Sequence, residues 1–208
     1  VEGPVADDFI EAGRWLAELA ADIPKDRLDD PGLDDWSIRS LLGHAARALV
    51  TVIEYLGRPA DAVALSTAVT YLAAAGLASP EAIAQRGVAA GGELGEDPAA
   101  SVAFLADESA ELVRAMPADR LVSTIAGGMR LEDYLPTRTL ELVIHGLDLA
   151  NAIGSSAVPP DGPARSTLEL LVELQVGQGR SPALIRSLAG RSSVPGAWEL
   201  WPSPEEGS

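Results

Sequence analysis

The chain has 208 residues, 47% hydrophobic and 22% charged, enough for one well-buried core. Its formal charge of −16 argues against nucleic acid and anionic membranes as partners, because both attract basic surfaces. With no cysteine, disulfides, thiolate nucleophiles and cysteine-ligated zinc are excluded, and any thiol chemistry must use a thiol brought by a ligand.

No apolar run approaches the roughly 20 residues of a membrane span. The first residues, Val1-Glu2-Gly3-Pro4, show neither a basic nor an apolar leader region, so a cytoplasmic location is expected. Phe9, Ala12, Trp15, Leu16, Leu19 and Ile23 recur at helical spacing, predicting a helix over 5–23 with Asp7 or Asp8 as its cap and Pro24 at its end. An acidic loop through Pro31-Gly32 follows. Ser37 is placed to cap a second helix, whose stripe runs through Ile38, Leu41, Leu42, Ala45, Leu49, Val52, Ile53 and Leu56. Gly57 suits the position just past its end.

A third helix is expected over 61–75. The glycine- and alanine-rich stretch 79–95 gives no clear pattern beyond a short helix after Pro80. Asp97-Pro98 opens another helix running to Met116, with Pro98 in the first turn. The β-branched residues and Gly127-Gly128 within 121–129 predict an extended loop or small hairpin. The strongest helical pattern spans 131–153 and stops at Gly154. Helices over 164–176 and 182–189 complete the pattern. The expected organisation is an all-α four-helix bundle over 1–191 with short extra helices, and an irregular tail over 192–208 that frays near its end.

The helix over 131–153 carries the chemistry. At about 100° per residue, Tyr134, Thr137, Arg138, Glu141, His145 and Asp148 fall on one face, flanked on both sides by leucine, valine and isoleucine. A polar stripe set between apolar sides lines a pocket inside a bundle rather than facing solvent. Glu141 and His145, four apart, are neighbours on consecutive turns and can offer two ligands to one zinc-like ion. Asp148, one turn on, can orient His145 through its second ring nitrogen. The other histidine of the chain, His44, sits mid-helix at the edge of the second helix's apolar stripe. Bundles build metal sites from facing helices. Two imidazoles and one carboxylate would leave a coordination position open for water or substrate.

Two segments carry a family resemblance. Trp36-Ser37-Ile38-Arg39-Ser40-Leu41-Leu42-Gly43-His44 resembles the W-[ST]-x-R-x-L-x-x-H helix of the DinB-like superfamily. The segment from Leu135 to Leu149 contains Arg138, Glu141, His145 and Asp148 in the order R-x-x-E-x-x-x-H-x-x-D, and resembles the corresponding helix of its mycothiol-dependent maleylpyruvate isomerase branch. The resemblance implies a DinB-like bundle with His44, Glu141 and His145 as ligands to zinc, nickel or a similar divalent ion. It also implies mycothiol, the small thiol of actinobacteria, as a cofactor with its sulfur at the open position. The arginine, alanine and glycine bias of the composition matches GC-rich coding of that kind.

The implied activity is isomerase-like thiol addition or S-transfer to an electrophilic substrate. Asp148 and Arg138 are the catalytic candidates, and Arg86 and Tyr134 are the candidates for holding the cofactor. Arg138 has a competing reading as a structural partner of Glu141 or Asp148, and Trp36 and Tyr134 as core or rim aromatics. The rival functions are a metal- or ligand-binding module without turnover, and a thiol-independent metallohydrolase using Asp148 as base. A homodimer is admitted because small bundles commonly associate.

Overall fold

A computed structural model describes residues 3–75 and 79–191; the expected tail, 192–208, lies outside the described residues. The chain forms helix α1 (Pro4–Ala21), a 3-10 turn (Lys25–Arg27), strands β1 (Pro31–Leu33) and β2 (Trp36–Ser37), and helix α2 (Ile38–Leu56). Next come α3 (Ala68–Ala75), α4 (Pro80–Glu93), α5 (Pro98–Ala115), β3 (Leu121–Thr124), β4 (Gly127–Arg130), α6 (Leu131–Ile153), α7 (Asp161–Gly177) and α8 (Ser181–Leu188). This is the expected all-α bundle with short extra helices, plus two small antiparallel hairpins.

The four long helices, α1, α2, α5 and α6, turn their apolar stripes inward. Each of α1 and α2 packs on both α5 and α6, so α1 and α2 sit largely diagonal to each other despite being consecutive. Phe9, Leu16 and Leu19 of α1 meet Leu41, Leu42 and Leu49 of α2 and Leu135, Leu142 and Leu149 of α6 in one fully buried core. Each such side chain contributes about 1.5–3 kcal/mol relative to exposure. Two packing contacts depend on glycine. A Cβ on Gly146 of α6 would strike the Trp15 ring, and one on Gly43 of α2 would strike the backbone of Gly91 in α4.

Local signals set the ends of the elements that carry the site. The Ser37 hydroxyl accepts from the Ser40 amide at 3.2 Å, capping α2 as predicted. Gly57 follows α2 at φ −76, outside the left-handed region. Gly154 ends α6 in the left-handed conformation at φ 73. The Arg27 guanidinium donates to the Ala152 and Ile153 carbonyls, both at 3.2 Å, satisfying the end of α6 and complementing its dipole. Helix α1 starts earlier than expected, with Gly3 at its cap position and Asp7 in its first turn, because Pro4 is suited to open a helix.

Two predicted elements differ in extent. The helix expected over 61–75 begins only at Ala68, because the preceding segment is committed to the β3–β4 hairpin. There the Ser123 amide donates to the Arg58 carbonyl at 2.8 Å, and the Ala64 amide donates to the Gly128 carbonyl at 2.7 Å. The Thr67 hydroxyl accepts from the Thr70 amide at 3.1 Å, opening α3 where that pairing stops. Conversely, the glycine-rich stretch forms a full 14-residue helix, α4, which packs closely on α2. Among the described residues no helix is long and apolar enough to cross a membrane.

Candidate metal centre

Helix α2 brings His44, and helix α6 brings Glu141 and His145, to one cavity of about 550 Å³. Glu141 Oε2 lies 3.3 Å from His145 Nε2 and 3.9 Å from His44 Nε2. One ligand atom from each of the three residues lies within 4.8 Å of the others, and all three side chains are partly buried. Metal–ligand bonds of about 2.0–2.2 Å in a tetrahedral centre separate ligand atoms by roughly 3.4 Å. The spacing and the donor set of two imidazoles and one carboxylate therefore fit a zinc-like ion. The same donor set also serves iron(II).

The neighbours prepare these donors unequally. Asp148 Oδ2 lies 3.2 Å from His145 Nδ1, which leaves Nε2 facing Glu141. His44 Nδ1 is buried with no hydrogen-bond partner among the described residues. Its ring is held instead by Trp36, with ring centroids 4.5 Å apart. Trp36 is itself fixed by its Nε1–H, which donates to the Ala84 carbonyl at 3.2 Å, and by Gly87, where a Cβ would meet the indole at 2.8 Å.

Burial, reinforced by the charge of His145, lowers His44 to a pKa of about 4, so it is a neutral donor at pH 7. Burial works against charge on His145, but hydrogen bonds to Asp148 and Glu141 outweigh it and raise the group to about 9. Burial likewise opposes ionised Glu141, yet the His145 hydrogen bond and the Arg138 charge hold it down at about 2. A carboxylate and one neutral imidazole are thus ready to ligate, and His145 must first give up a proton.

The remaining predicted site residues divide by depth. Arg86 stands on the cavity wall, half-buried, on α4. Arg138 also lines the cavity, stacked over Tyr71 and Tyr134 with its guanidinium carbon 5.4 and 5.1 Å from their ring centroids. Neither Glu141 nor Asp148 lies within ion-pair distance of it; its charge acts on Glu141 at longer range, and its direct packing is against the two tyrosine rings. Tyr134, expected at the cofactor, is fully buried beneath the wall, and its hydroxyl donates to Thr51 Oγ1 at 3.0 Å. It backs Arg138 and does not face the cavity.

Sequence reasoning missed Arg47, Thr51, Tyr55 and Tyr71, all on the cavity wall. Arg47 was accessible to it, lying three residues after His44 on the same helix face. Tyr71 was not, because its place depends on where α3 docks.

A family profile described as Mycothiol maleylpyruvate isomerase N-terminal domain matches residues 9–150, which contain all three donors. No curated protein and no solved structure matches the chain. With both motif helices inside a match that covers more than half of the sequence, and their donors brought together in a DinB-like bundle, the chain belongs to the mycothiol maleylpyruvate isomerase N-terminal domain family.

Proposed function

We propose that the protein is a divalent-metal-dependent enzyme that uses mycothiol as cofactor or co-substrate, for S-transfer or for isomerase-like addition to an electrophilic small molecule. The observation that carries this reading is the convergence of His44, Glu141 and His145 at a cavity large enough for a ligand. Its volume, about 550 Å³, falls within the range of about 300–1,000 Å³ usual for small-molecule sites. A divalent ion held there would lower the pKa of a coordinated thiol and make thiolate available near neutral pH. Zinc is the favoured ion and nickel or iron(II) the alternatives.

The chain's own residues do the positioning. Asp148 fixes the ring of His145, Trp36 fixes the ring of His44, and Arg138 helps to keep Glu141 ionised. Arg86 is assigned to the ligand-bearing wall of the cavity. With no cysteine in the chain, the thiol comes from the ligand. A thiol-independent hydrolase is less well supported, because its candidate base, Asp148, already has Oδ2 3.2 Å from His145 Nδ1.

The test is a titration of cobalt-substituted protein with mycothiol. A thiolate-to-cobalt charge-transfer band should grow in the wild type and be absent in His145→Ala. No band in the wild type would refute the thiol reading.

A further inference from the structure

The wall of the metal cavity is divided by element. Helices α2, α4 and α6 bring the charged side chains that line it, the three metal donors included. Helix α3 and the β3–β4 hairpin bring only Tyr71, Leu72, Ala74, Ala75, Ile125 and Ala126, none of them charged. These two elements adjoin, because the Leu65 amide, three residues before α3, donates to the Gly128 carbonyl of the hairpin at 3.1 Å. Tyr71 and Leu72 are buried, so the open surface on this side belongs to the three alanines and Ile125.

Ile125 is out of place for a turn. Thr124 pairs with Gly127, which makes Ile125 and Ala126 the two residues of the hairpin turn. Such positions favour glycine, asparagine, aspartate and serine. Here a β-branched hydrocarbon side chain stands 73% exposed on the cavity wall. The turn does not need it. Gly127 supplies the required backbone at φ 130, and the Thr124 hydroxyl donates to the Gly127 carbonyl at 2.6 Å and accepts from the Ala126 amide at 3.2 Å. The core does not use it either, since Ile125 lies outside the buried cluster. A side chain that serves neither turn nor core, held by a braced turn at a cavity, keeps its apolar surface free to be buried by a ligand.

We propose that the electrophilic substrate carries a hydrocarbon substituent, and that Ile125 is the specificity-determining residue that receives it, with Ala74, Ala75 and Ala126 leaving it room. The charged groups surround the reacting end at His44, Glu141 and His145, and the uncharged side is left for the part that does not react. Each methylene buried there raises affinity about fourfold. A hydroxylated substituent would lose its water against these side chains, which offer it no hydrogen bond. The inference rests on the proposed metal–thiol reading only in calling the occupant the electrophile, since the apolar wall is made by the chain alone.

The test is displacement of a neutral fluorescent dye, N-phenylnaphthylamine, from the purified protein by straight-chain alcohols from butanol to octanol. Displacement from the wild type should strengthen about fourfold per added methylene, and hexanetriol should not displace the dye. Ile125→Ser should weaken hexanol binding by about three- to tenfold at an unchanged melting temperature, because the side chain is outside the core. Ile125→Leu, with the same hydrocarbon content, should retain it. Phe104 is 63% exposed and lines a second cavity between α2, α4 and α5, so Phe104→Ser serves as the control and should leave hexanol affinity unchanged.

Equal hexanol affinity in wild type and Ile125→Ser, or loss of binding in Phe104→Ser, would overturn the inference. Displacement by hexanetriol as strong as by hexanol would do the same. The cobalt–mycothiol titration separates the two readings. Failure of the metal–thiol reading removes the charge-transfer band from the wild type and leaves the alcohol series and its dependence on Ile125 intact. Failure of this inference abolishes that dependence and leaves the band.

Discussion

The contact between α2 and α4 gives opposite predictions for two glycines on neighbouring surfaces. An alanine at Gly43 would set its Cβ 2.5 Å from Gly91 Cα and 2.6 Å from Ala90 C, where ordinary contact begins at 3.4 Å. The obstructing atoms are backbone and cannot rotate away, so the helices must part by roughly 1 Å through close-packed surroundings. Overpacking of this kind costs about 1–3 kcal/mol, with backbone clashes toward the upper end. Alanine's helix propensity returns about 1 kcal/mol. Gly43→Ala should therefore lose about 2 kcal/mol, a fall in Tm of about 4–8 °C for a chain of this size.

Gly92, one residue beyond Gly91, has nothing within 4 Å of the place an alanine Cβ would occupy. Gly92→Ala should gain about 0.5–1 kcal/mol, raising Tm by about 1–4 °C. Helix α4 also carries Arg86 and the Trp36 contacts, so zinc affinity should fall in the first variant and stay unchanged in the second. Circular dichroism melts and a competitive zinc titration measure both. Equal melting temperatures in the two variants would refute the close-approach reasoning.

Other variants and conditions probe the site's support. Asp148→Asn should weaken metal binding about 10- to 100-fold with the fold retained, measured against a chromophoric chelator; unchanged affinity would deny the positioning role. Zinc uptake at pH 7 should release close to one proton, because His145 titrates at about 9 while His44 and Glu141 have already lost theirs. Calorimetry in buffers of different ionisation enthalpy reads that number, and zero release would contradict it. In metal-free protein, the raised pKa of His145 stabilises the fold in full below the ordinary histidine value of 6.5 and ceases to do so as pH rises through about 9. The melting temperature should drop across that interval, and a flat profile would count against the His145–Asp148–Glu141 arrangement. Tyr134→Phe removes the bond to Thr51 and should cost about 0.5–1.5 kcal/mol in a denaturant melt.

The sequence was most informative where signals are local. The cap at Ser37, the stop at Gly154 and the polar stripe on α6 are written in neighbouring residues, and the structure places each as expected. The metal donors share that quality within α6, while His44 had to be joined to them across the bundle. What was illegible depended on long-range contacts. The late start of α3 follows from hydrogen bonds between 58–65 and the β3–β4 hairpin, which no helical periodicity reports. The glycines of α4 lower helix propensity, yet Gly91 and Gly87 serve close approach to α2 and to Trp36. The cradle of Arg138 needed Tyr71 from α3, so its packing between tyrosine rings could not be read from spacing.

The central claim is that His44, Glu141 and His145 hold one divalent ion. Elemental analysis of protein purified without a histidine tag, before and after incubation with zinc, tests it most directly when repeated on His44→Ala. Near-stoichiometric metal in the wild type and its loss from a folded His44→Ala variant is the predicted result. Wild-type protein that holds no metal even after incubation would contradict the account.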